Sequence, residues 1–184
     1  MDLNLIITQL RQRCTTFDSR IAGAAQFKPI AEGTAMALPA AYVIPLDDNP
    51  EENRSPSGYQ QKLKDGFAVV MVISNTVDVR GQDAKTSVDA LRAEIWKALL
   101  AWQPTPDYDG VVYDGGNLLL MDRAYLYYQL EFSALTEISF EDTWQSVRDD
   151  ELPFIEGVNI NTDIQNPIPD GVMENAVKID LPDH

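Results

Sequence analysis

Residues 87–132, SVDALRAEIWKALLAWQPTPDYDGVVYDGGNLLLMDRAYLYYQLEF, constrain the chain more than any other stretch. Val88, Leu91, Ile95, Leu99 and Trp102 recur at helical spacing. Ser87 stands where a side chain caps a helix, Asp89 brings negative charge to the first turn, and Pro104 supplies a stop. Asp109-Gly110 and Asp114-Gly115-Gly116 are turn signals around one short strand, and residues 117–121 form a second. From Ala124 the pattern alternates. Leu126, Tyr128, Leu130, Phe132 and Ala134 share one face, while Tyr125, Tyr127, Gln129, Glu131 and Ser133 share the other. An antiparallel strand with one face in the core accounts for that.

The preceding residues add a helix and two strands. Leu3, Ile6, Ile7, Leu10, Cys14 and Phe17 lie on one helical face, with Asp2 placed as the cap and Gly23 at the end. Residues 40–44, bounded by Pro39 and Pro45, read as a short strand near a sheet edge. Residues 46–58, with four acids and two prolines, read as a solvated loop, and residues 75–85 as a polar loop or strand end. Between them the unbroken apolar run at 67–73 fits a strand covered on both faces, hence central in its sheet. The fold class expected is α+β, a mostly antiparallel sheet flanked by two main helices. It occupies residues 1–136. Residues 137–184, broken by Pro153, Pro167, Pro169 and Pro182, are expected to form an extended acidic arm that packs on its own or a neighbouring subunit.

Charge separates the same two parts. The formal net charge is −15, and residues 137–184 carry −10 of it, from 12 acids against 2 bases. An acidic surface repels phosphates, which disfavours direct nucleic-acid binding but suits a channel wall that must not grip DNA. No apolar run reaches the length of a membrane span. The N-terminus has an acid before its apolar stretch and arginines after it, the reverse of a secretory signal, so the expected location is cytoplasmic. Cys14 is the only cysteine, and its spacing with Leu10 and Phe17 points to a buried apolar role.

Catalytic signals are sparse. The only histidine is His184, so histidine-activated nucleophiles and His-rich metal sites are not expected. There is no P-loop, dinucleotide fingerprint or CxxC pair. Asn159, Asn161 and Asp163 alternate like oxygen ligands of a calcium loop but lack its glycine and later glutamate. Asp47, Asp48, Glu51 and Glu52 read as a solvated cluster. No cofactor, metal or catalytic residue is assigned. The candidates instead form a protein-binding surface: Tyr125 and Tyr127, whose large rings with polar tips suit interfaces, and Asp78, Arg80, Gln82 and Lys85 on the polar loop. A helix of the same chain covering the tyrosines is the competing reading.

The order of these words resembles the tail terminator proteins of long-tailed bacteriophages. The resemblance rests on the Pro-flanked strand LPAAYV at 38–43, the helix ending ALLAWQP at 98–104, YDGGNL at 113–118 and the aromatic strand ending in Phe132, and it spans residues 3–135. It implies a non-enzymatic virion protein at the head–tail junction, assembled in the host cytoplasm. Its subunits would form a homo-oligomeric ring, six to a ring, on the head-proximal end of the tail tube. Its partners would be the tail tube protein and a head–tail connector or neck protein, with DNA passing unread through the lumen and no membrane involved. Alternatives are another neck or tail-completion adaptor, a carboxylate-based hydrolase, and an acidic DNA mimic.

Overall fold

Those expectations meet in a computed structural model that describes residues 1–26, 37–75, 82–152, 157–162 and 175–180. Two compact units divide the chain, Met1–Phe140 and Glu141–His184. The first runs α1 (Leu3–Arg13), β1 (Ile21–Gly23), β2 (Ala40–Pro50), β3 (Gln61–Ser74), α2 (Gln82–Leu99), β4 (Val112–Met121) and β5 (Tyr125–Ile138). Its five strands lie in the order β1-β2-β3-β5-β4, antiparallel except for β1 beside β2. The fold is α+β, as expected.

The centre of the sheet is the apolar run at 67–73. β3 pairs with β5 along its whole length, from Gln61 opposite Ile138 to Ser74 opposite Tyr125, without a shift in register. Phe67, Val69, Met71 and Ile73 face one way, and there they meet Leu126, Leu130, Phe132 and Ala134 of β5. Ile6, Ile7 and Leu10 of α1 and Val88, Leu91, Ile95, Ala98 and Leu99 of α2 close this core from above. Phe67 and Phe132 are fully buried and stack with ring centroids 5.5 Å apart. Tyr113 leans on Phe132 at 5.5 Å and meets Trp96 edge-on at 5.0 Å, which locks β4 and α2 to the same centre. The Asp2 side chain caps α1, accepting from the Asn4 N–H at 2.9 Å. Cys14 is buried, and desolvation, with Glu94 nearby, pushes its thiol up to about 12.

Several local readings are corrected. α1 ends at Arg13 rather than near Gly23; Phe17 reaches the core from a 3-10 turn at Thr15–Phe17, and Gly23 belongs to β1. β2 continues through Pro45 to Pro50 into the residues read as loop. Proline is tolerated because β1 pairs only with Ala41–Val43, so no strand beyond needs the missing N–H. α2 starts at Gln82, not after Ser87. Gly115 and Gly116 are not a turn but part of one continuous strand, with a register shift between Tyr113 and Gly115. A Cβ on Gly116 would lie 2.6 Å from the Tyr113 hydroxyl and 3.0 Å from the Tyr128 ring, so the glycine is there for close approach. The turn between β4 and β5 falls instead at Asp122, whose carboxylate accepts from the Ala124 and Tyr125 N–H groups, both at 2.7 Å.

α2 also stops before Trp102 and Pro104. The chain reverses at Ala101, an exposed residue with φ of 62°. The Ala101 N–H donates to Val111 at 2.9 Å and the Val111 N–H to Trp102 at 3.0 Å, tying the helix end to the approach to β4. A left-handed alanine carries a steric cost that glycine avoids. Ala101→Gly is therefore expected to raise stability by ~1 kcal/mol, seen as a higher urea midpoint at unchanged slope. A lower midpoint would mean that the methyl group contributes more than the strain it carries.

The second unit contains α3 (Trp144–Asp150) and a two-stranded antiparallel ribbon, β6 (Gly157–Thr162) with β7 (Asn175–Asp180). Its register sets Val158 opposite Ile179 and Ile160 opposite Val177, which puts four β-branched side chains on one face, all exposed.

Candidate functional site

The sheet's second face, opposite the helices, carries its own cluster. Val70 and Val72 of β3 and Tyr127 of β5 are buried together, with Leu38, Tyr42, Ile44 and Tyr125 packed around them. Tyr127 is 7% exposed, and Tyr125 meets it edge-on at 6.4 Å. Burial, then the carboxylate of Asp122, then Tyr125 and Tyr42 push the Tyr127 phenol above its ordinary pKa. The tyrosines are thus set among strand residues on the face away from α1 and α2. The register carries this apolar row outward, since Val72 pairs with Tyr127 and Tyr127 with Leu120 of β4.

The two edges of the sheet differ sharply. At one edge, β1 is three residues long, and the part of β2 beyond it presents Pro45, Asp47, Asp48 and Pro50. Prolines and charges are the usual means of preventing another chain from pairing there. At the other edge β4 presents Leu118, Leu119, Leu120 and Met121, exposed by 51%, 45%, 55% and 58%. Leu118 and Met121 lie opposite Tyr128 and Leu126 on the helix side, whereas Leu120 lies opposite Tyr127 on the second face. This edge strand is apolar on both faces, a pattern that belongs to a strand covered by neighbours. Among the described residues no strand pairs with its outer side, and its backbone groups and side chains suit strand addition by another polypeptide.

Of the expected interface residues, Tyr125 and Tyr127 come together on the second face. Gln82 and Lys85 fall in α2 rather than in a loop, with their side chains outside the described residues, as are Asp78 and Arg80 altogether. The leucine edge of β4 went unnoticed in the sequence. Its signal was four consecutive apolar residues, Leu118 to Met121, in a strand read only as short.

Other polar groups make contacts within the chain. Asp65 accepts from the Tyr108 hydroxyl at 2.9 Å, and burial and that bond push the phenol up to about 12. A groove of about 440 Å³ beside Leu46, Asp47 and Glu131 has Lys64 and Asp114 in its lining, and these two are ion-paired at 2.7 Å. In the acidic cluster, Glu51 pairs with Arg54, while Asp47 and Asp48 are exposed on β2. Asn159 and Asn161 lie in β6; Asp163 is outside the described residues. Among the described residues no group of His, Cys, Asp and Glu could hold a metal ion, and no helix is long and apolar enough to cross a membrane.

Comparison with known proteins gives one family. Residues 1–140 match the model of a family described as phage tail terminator protein. No curated protein matches the chain significantly.

Proposed function

The chain belongs to the phage tail terminator family, and from that premise we propose that it closes the head-proximal end of the tail tube as a ring of six subunits. A structural role in the phage tail follows from the family itself. The ring, the capping of the tube and the docking of the head are the finer reading. The observation that carries it is the coincidence of two boundaries: the family match covers 1–140, and the first compact unit is Met1–Phe140. The family match thus spans the whole of the first unit.

Mechanistically, a closed ring of identical subunits uses a heterologous contact, in which one face of each subunit meets a different face of the next. The sheet supports this with one edge guarded against pairing and one open to it. A ring whose lower side accepts the last tube ring, and whose upper side does not repeat the tube's stacking surface, ends growth. The net charge of −15 suits a lumen through which DNA passes without sticking.

The test is to polymerise the cognate tube protein with and without this protein, and to image the products by negative stain. Six-subunit rings, and tubes that stop growing once a ring sits at one end, are the expected result. Capped tubes should then join filled heads. Tubes that elongate equally at stoichiometric protein would overturn the capping role. Rings that bind heads but leave tube growth untouched would place the protein elsewhere in the neck.

A further inference from the structure

We propose that the β6–β7 ribbon of one copy adds to the open β4 edge of the next copy, so that the C-terminal unit is the strap that joins neighbours in the ring. This rests on the ring reading above and names its contact.

Two incomplete surfaces motivate the pairing. Among the described residues β4 has no strand on its outer side, and Leu118, Leu120 and Met121 make it apolar on both faces, so a partner that continues the sheet meets both its open backbone groups and its apolar side chains. The ribbon is incomplete in the complementary sense. A lone two-stranded ribbon is marginal in water, and this one holds Val158, Ile160, Val177 and Ile179 exposed on a single face. Each of its strands has six residues, short enough to pair within the ten residues of β4. Joining them satisfies the backbone groups of both edges and sets their aliphatic side chains beside one another as cross-strand neighbours.

Ring geometry selects the occupant. Pairing of β4 with β4 of a second copy is two-fold and closes at a dimer. Pairing of β4 with β2 meets the prolines and acids of the guarded edge. β1, the edge strand beside β2, offers only three residues, so among the described residues the longer strand edges that remain are those of β6 and β7. Their place beyond the residues matched by the family makes the strap an addition of this chain to a common module.

Cysteine cross-linking of the full-length protein tests the contact, with the buried Cys14 left in place. Leu119→Cys protein is mixed in equal amounts with Ile160→Cys protein, and separately with Val177→Cys protein, then oxidised with and without tube subunit. At least one mixture should give a disulfide-linked dimer containing both variants. The matching double variant should give a ladder ending at the ring number. Ile160→Lys with Val177→Lys should raise the concentration needed for rings at least tenfold. A cross-link confined to one chain overturns the proposal. So does the absence of any cross-link, or of an effect of the lysines, in a protein that still forms rings; the ring then stands on other surfaces. A protein that forms no ring with tube present and does not halt its growth removes the ring reading, and this contact with it.

Discussion

Replacing Phe132 with alanine is expected to cost about 3–5 kcal/mol and to leave little folded protein at 37 °C. Phe132 is fully buried, stacks on Phe67, and also bears the ring of Tyr113, which in turn meets Trp96. The cavity would open at the one place where β3, β4, β5 and α2 converge. β3 and β5 are held in a continuous ladder, so collapse around the void is limited, and the upper part of that range applies. Urea denaturation of the purified variant is the direct measurement. A loss below about 1.5 kcal/mol would place the effect in the range of a volume-conserving swap and show that the centre of the fold lies elsewhere.

The second large effect is on assembly, with folding spared. Leu118→Lys combined with Leu120→Lys should change stability by no more than about 0.5 kcal/mol, because both side chains are already half in solvent. Ring formation should weaken roughly a hundredfold or more, since each leucine buried at a contact contributes about 1.5–3 kcal/mol and lysine is a guard residue on strand edges. Sedimentation of variant and parent over the same concentrations reads the assembly, and thermal melts read the stability. An unchanged ring would show that β4 faces solvent in the assembly. A large drop in melting temperature would show that the leucines support the subunit itself.

How far the sequence disclosed this arrangement depends on whether each signal was local. The Leu126-to-Ala134 alternation located the core face of β5, and the unbroken 67–73 run marked the central strand, because period and coverage are written in consecutive residues. The helical face was legible for the same reason from Leu3 to Leu10, although its continuation to Cys14 and Phe17 lies beyond the helix end at Arg13. Gly115-Gly116 misled because glycine marks turns and close approaches alike, and only the Tyr113 ring, brought in by the fold, decides between them. Pro45 and the acids after it look like a loop, but a strand edge with no neighbour accepts them. Among the interface candidates, Tyr125 and Tyr127 were recoverable from alternation. The leucine edge of β4 was not, since being an edge is a property of strand order, and strand order joins residues far apart in the chain.

The unshifted ladder between β3 and β5 also sets a timetable. During synthesis β2 and β3 emerge together and can pair across a short connection, which covers one side of β3. The other side waits for β5. With chain growth at ~5–20 residues per second, Phe132 follows Phe67 by roughly 3–13 s. Throughout that interval the nascent chain displays FAVVMVI, seven residues with no charge and no proline, as a half-dressed strand. The yield of folded protein thus depends on a race between translation and sticking, decided before the chain can meet any partner.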